Sequence, residues 1–236
     1  MLTHPWNPTG HLLVELSLWS ADPLALKADL DRLGPHVDAL HVDVADTRFV
    51  DELIFSPHLV QALVHATDLP VHVHLMARNA PHWADRFCRA GAHLVTVHAE
   101  ADRVAEALTT IRGHGRAAGL ALRLDTPLAA ILPHLDQVDV ITMIGTPLGT
   151  KGTHSSPKAV ERLHAVREML RDHQCGGRIR VVADGGIREH TVPDLATAGA
   201  HAVVAGSLLC AAQDPDITAR WMHRHQPGRE IQPVSP

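Results

Sequence analysis

Cysteine is scarce in this chain, with only Cys88, Cys175 and Cys210 among 236 residues. They are widely spaced and form no CxxC pair, which excludes a zinc knuckle and a disulfide framework and suits a reducing cytoplasm. Positive charge is not in excess either, since 21 Lys and Arg stand against 26 Asp and Glu for a formal net charge of −5. Nothing in that balance draws the chain to nucleic acid or to an anionic membrane, and a small polar substrate is the better expectation. Long apolar runs are missing as well. No stretch approaches the roughly 20 residues of a membrane span, and the opening "MLTHPWNPTGHLLVELSLWSAD" lacks a basic segment followed by a sustained apolar one.

What is present is a rhythm. Short runs rich in Val, Ile and Leu recur as "LLVEL" (12–16), "ALHVDV" (39–44), "PVHVHL" (70–75), "LVTVHA" (94–99), "LALRL" (120–124), "VDVITMI" (138–144), "RVVAD" (180–184) and "AVVAG" (202–206). Between them lie segments with apolar residues at helical spacing, several opening on Pro, Ser or Thr and closing near Gly. Eight strands alternating with helices predict an α/β fold, a single (β/α)8 TIM barrel over residues 1–225; an open doubly wound sheet would show similar periodicity. The Pro-rich end, 226–236, is expected to be a loose tail. At this length roughly 70% of the unfolded chain's surface can be buried on folding, so a metal would serve function rather than stability.

In a barrel the chemistry sits where strands end. His41 and Asp43 close the second run two residues apart and so point to one side; His72 and His74 close the third; Asp184 closes the seventh. Imidazoles and carboxylates suit Zn²⁺, Fe²⁺, Mn²⁺ or Co²⁺. Taken singly, a strand-end His can cap a carbonyl and an Asp the next helix; the grouping is what favours a ligand set. After the last two runs come "ADGGI" and "AGSLL", whose glycines let backbone N–H groups approach an anion, although glycines there also serve tight turns.

These motifs, "SLWSAD", "HVDVAD", "VHLM", "VTVHAEA", "TMIGTPLG", "ADGGI" and "AGS", resemble in order and spacing the ribulose-phosphate 3-epimerase family, over residues 16 to 209 or so. The resemblance implies a TIM barrel with one divalent metal ion held by His41, Asp43, His74 and Asp184. It makes Asp43 and Asp184 the catalytic acid/base pair. It places Ser17, Met76 and Met143 against substrate, and Gly185, Gly186, Gly206 and Ser207 around its phosphate. The implied partner is a small phosphorylated sugar, and the implied assembly a homo-oligomer. Epimerising carbon 3 of a ketose phosphate requires a proton to leave one face and another to arrive on the opposite face, hence two bases and a stabilised enediolate.

The sequence departs from that pattern at the expected mouth of the site. Ala45 stands where the family has a methionine, and Thr47, Asp51 and Glu52 replace its Gly and Pro-Asn. "LRLDTP" brings Arg123 and Asp125 forward, as a surface ion pair or as substrate contacts. The loop expected to close on substrate reads "GTPLGTKG", in which Gly149 and Lys151 are candidate substrate contacts. Lys151 reads as a phosphate partner, as a solvated side chain, or as the Schiff-base lysine of an aldolase or lyase barrel. A barrel that binds sugar phosphate without turnover is a further alternative, and so is a hexulose or tetrulose phosphate as substrate. His98 and Glu100 read as structural ahead of a role in orienting a ligand.

Overall fold

A computed structural model describes residues 10–229. Nine strands are present: β1 (Leu13–Ser17), β2 (Ala39–Asp46), β3 (Leu53–Ile54), β4 (Val71–Met76), β5 (Leu94–His98), β6 (Ala117–Leu122), β7 (Val140–Ile144), β8 (Arg180–Asp184) and β9 (Ala202–Ala205). All except β3 run parallel in a ring that β1 closes by pairing with both β2 and β9. The eight parallel strands form a (β/α)8 barrel, as the spacing of the apolar runs predicts. The two-residue β3 folds back antiparallel on the end of β2, opposite Ala45 and Asp46.

Burial on both faces explains why the strands read as continuous apolar runs. Outward residues such as Val42, Val73, Val95, Leu120 and Val181 pack under the helices, while Leu13, Ala39, Leu94, Ala117, Val140, Val182 and Ala202 fill the lower interior. The helical layer is α1 (Leu26–Leu33), α2 (Pro57–Ala66), α3 (Ala80–Arg89), α4 (Val104–Gly113), α5 (Lys158–Asp172), α6 (Val192–Thr197), α7 (Ser207–Cys210) and α8 (Pro215–His223). Between β6 and β7 the chain forms 3-10 turns over Leu128–Gln137 in place of an α-helix. Pro133 lies inside that segment and has no N–H to donate. Helix α8, which the strand–helix rhythm did not suggest, is capped by the Asp214 carboxylate accepting from the Ile217 N–H at 3.2 Å.

Of the segment 226–236, expected as a loose tail, residues 226–229 are described. Residues 226–229 are pinned to the barrel, with the Gly228 N–H donating to the Ala196 carbonyl at 2.8 Å and the Arg229 N–H to that of Gln226; residues 230–236 lie outside the described part. Among the described residues no helix is long and apolar enough to cross a membrane.

Candidate active site at the carboxyl ends of the strands

The alternation of side chains along each strand decides what enters the barrel. Register places Ser17 beside His41, Asp43 beside His74, and Ile144 beside Asp184. His41, Asp43, His74 and Asp184 thereby converge, with one ligand atom of each within 4.8 Å of the others. His41 Nε2 lies 3.6 Å from Asp43 Oδ1 and 3.7 Å from Asp184 Oδ2, and His74 Nδ1 lies 3.1 and 3.4 Å from the same two oxygens. The Ser17 hydroxyl donates to Asp43 Oδ2 at 3.2 Å.

Two features of this cluster fit a divalent cation. His41 Nε2 is buried, has no hydrogen-bond partner among the described residues, and faces the two carboxylates at 3.6 and 3.7 Å. His74 presents Nδ1 to the same place because its Nε2 is engaged at 2.8 Å by His98 Nε2, and His98 Nδ1 in turn meets Glu100 Oε2 at 3.0 Å. The Glu100 carboxylate accepts only, so His98 carries its proton on Nδ1 and, as a neutral ring, accepts at Nε2 from His74, whose Nδ1 is turned to Asp43 Oδ1 at 3.1 Å. His98 and Glu100, expected to be structural, thus orient a member of the cluster.

Electrostatics separate the two aspartates. Burial pushes Asp43 up, but the imidazoles of His41 and His74 outweigh it and hold the carboxyl well below the usual range. Asp184 is raised, by burial first and by repulsion from Asp43, with His41 opposing. His41 is drawn upward against its burial by Asp43, Glu15 and Asp184. Burial lowers His98 to about 4 despite Glu100. Glu100, half-buried, is raised by that burial but brought down to about 2 by His98, Thr126 and the Arg123 N–H.

Around the cluster opens a cleft of about 650 Å³, including its mouth, lined by Ser17, Met76, Gly149, Lys151, Gly206 and Ser207 among others. Gly185 and Gly186 line it too, both at positive φ. A Cβ on Gly186 would lie 2.3 Å from the Ser155 nitrogen, so the close approach of these two backbones admits only glycine. Arg188, which the sequence reading passed over, sits on the same rim, its guanidinium donating to the Gly152 carbonyl at 3.3 Å; its place four residues after Asp184 was the available signal.

Met143 does not line the cleft. Since Thr142 and Ile144 take the inward positions of β7, Met143 faces the helices beside Arg162, Leu163 and Leu195, and Ile144 lines the cleft instead. No room opens at Ala45 either, because Ile54, Met76, Trp19, Phe49 and Leu148 pack around it. Thr47 holds φ +63°, a left-handed conformation costly for a β-branched residue, at the position where the sequence departs from the family glycine. Arg123 stacks over Phe49 at 4.4 Å and donates to its carbonyl, while Asp125 pairs with Lys158 rather than with Arg123. Lys151 is exposed on the loop, away from the desolvated strand interior that Schiff-base chemistry favours.

A closed (β/α)8 barrel with paired carboxylates and imidazoles at the carboxyl ends of its strands has the layout of a barrel enzyme's active site. The ribulose-phosphate 3-epimerase family model matches residues 13–210, and this chain belongs to that family. The ribulose-phosphate 3-epimerase of Mycobacterium bovis is 36% identical over 217 residues, 92% of this chain and 93% of that one. That of Bacillus subtilis is 30% identical over 201 residues, covering 81% and 92% of the two chains. The structure of KGPDC from Streptococcus mutans in complex with D-R5P superposes with a TM-score of 0.70 at 17% identity, over 89% of this chain and 95% of that one, a likeness of fold. Membership makes this chain an enzyme of ketose-phosphate epimerisation at carbon 3.

Proposed function

We propose that the chain interconverts a ketose 5-phosphate of the ribulose and xylulose type with its carbon 3 epimer, using Asp43 and Asp184 as the two proton-transferring groups and one divalent metal ion held by His41, Asp43, His74 and Asp184. The observation that carries this reading is the meeting of two carboxylates from β2 and β8 at the orphaned Nε2 of His41. A bound Zn²⁺, Fe²⁺, Mn²⁺ or Co²⁺ would supply charge stabilisation for the enediolate oxygens. The chain's own groups do the rest. Inversion needs one carboxylate that accepts the proton of carbon 3 and another that returns a proton to the opposite face, and the opposite shifts of Asp43, lowered, and Asp184, raised, lie in that direction. After one turnover their roles are exchanged, so the two titrate as a pair.

Ser17, through its bond to Asp43, would hold that carboxylate against a substrate hydroxyl. Gly185, Gly186, Gly206 and Ser207 would cradle the phosphate through backbone N–H groups, with Lys151 and Arg188 adding positive charge at the rim. Met76 would bound the apolar side. The three unpaired cysteines fit a cytoplasmic enzyme, and family resemblance favours a homo-oligomer, which sedimentation would reveal.

Asp43→Asn and Asp184→Asn should each slow solvent deuterium exchange at carbon 3 by about 10² to 10⁴-fold with the fold intact. Near-normal exchange in both variants rules out the two-base assignment.

A further inference from the structure

Below the ligand cluster, inside the barrel, lies an acidic side chain that the proposed chemistry does not use. Glu15 on β1 is completely buried, a costly place for a carboxylate unless donors surround it. Its Oε2 lies 2.8 Å from His41 Nδ1 and 2.7 Å from His72 Nδ1. An ionised carboxylate only accepts, so both imidazoles carry their proton on Nδ1. For His72 the second nitrogen, Nε2, lies 2.7 Å from the Thr96 hydroxyl, which donates to it. His72 is thereby a neutral ring locked in one tautomer. For His41 the second nitrogen is the orphan that faces Asp43 and Asp184.

We infer that Glu15 is a positioning residue for the metal site: its carboxylate fixes the ring angle and the Nδ1–H of His41, so that Nε2 is the nitrogen offered to the cation. His72, itself held by the Thr96 hydroxyl, binds the same carboxylate oxygen and so fixes the glutamate in place. With the Glu100–His98–His74 chain, each histidine of the cluster is then backed by a carboxylate, directly for His41 and through one ring for His74. A His ligand whose other N–H donates to a carboxylate is both better aimed and more basic than one left to rotate. A purely structural glutamate would need only donors, yet one of its donors is a ring whose opposite nitrogen enters the site.

This inference rests on the metal-binding reading above. The test is Zn²⁺ affinity, measured by competition with a chromogenic chelator on the wild type and on Glu15→Gln, with circular dichroism to follow folding. Glu15→Gln should weaken Zn²⁺ binding about 10 to 100-fold while the barrel stays folded. Zn²⁺ binding within twofold of wild type, with or without lowered melting temperature, overturns the inference. Should the variant not fold, the wild type loaded with ¹¹³Cd²⁺ decides by ¹⁵N NMR. Cadmium coupling at His41 Nε2 with a proton retained on Nδ1 supports the inference, and an unprotonated Nδ1 overturns it. A wild type that takes up no metal ion fails the metal reading itself, a result distinct from equal binding by the two proteins.

Discussion

Gly119 on β6 has no side chain because Thr96 on the neighbouring strand occupies its space. A Cβ there would lie 1.9 Å from Thr96 Oγ1 and 2.9 Å from Thr96 Cβ. Thr96 has few rotamers to retreat into on a strand, and its hydroxyl serves His72 Nε2. Gly119→Ala therefore overpacks the interior, at about 1–3 kcal/mol, and displaces a hydroxyl whose loss leaves a buried imidazole nitrogen unsatisfied, at about 1–3 kcal/mol more. The sum, about 2–6 kcal/mol, is a large part of a domain's stability. Thr96→Ala alone incurs only the second cost. In the double variant most of the clash is gone and the hydroxyl is lost only once, so the two substitutions should be non-additive, the pair being about 2–6 kcal/mol more stable than the sum of the singles predicts. Urea unfolding of the four proteins measures this cycle. Additivity within about 0.5 kcal/mol would refute the steric and hydrogen-bonding account of the barrel interior.

Lys151→Ala should raise the dissociation constant of a ketose phosphate several-fold and leave that of the unphosphorylated ketose unchanged, as calorimetry would show; equal affinities return Lys151 to solvent. His201 gives the fold an acid-sensitive component. Burial, with Arg167 and Arg180 nearby, lowers it to about 3, so between its ordinary value and 3 the unfolded chain binds a proton that the folded chain refuses. Stability then falls as pH falls through that window, by about 1.4 kcal/mol per pH unit from this group. His201→Asn, which keeps an acceptor for the Val181 N–H now bonded to Nδ1 at 2.9 Å, should flatten the decline between pH 6 and pH 4. An unchanged slope by urea titration contradicts the assignment.

The barrel was legible because parallel strands buried on both faces leave continuous Val, Ile and Leu runs, and all eight runs correspond to barrel strands. The start of β6 was less so, since "RAAG" has little strand propensity and is held there by pairing with β5. The convergence of His41, Asp43, His74 and Asp184 was legible through the i, i+2 parity of His41 with Asp43 and of His72 with His74. The same parity, applied to β1, puts Glu15 on the face of Ser17, and a lone glutamate in an otherwise apolar run was the signal that went unused. Met143 failed by one residue of register, because pairing of Ile144 with Asp184 is a tertiary fact that no single strand carries. The joining of His98 to His74 depends likewise on two strands meeting, so neither residue alone revealed it.

The central claim is metal-supported proton transfer at carbon 3, and solvent deuterium exchange followed by NMR tests it most directly. The protein, stripped with chelator and then reloaded with Mn²⁺, Fe²⁺ or Zn²⁺, would be offered pentulose, hexulose and tetrulose phosphates in turn. The account predicts exchange at carbon 3 of a pentulose 5-phosphate that chelator abolishes and added metal restores. Metal bound at the site with no exchange in any of these sugars would contradict it.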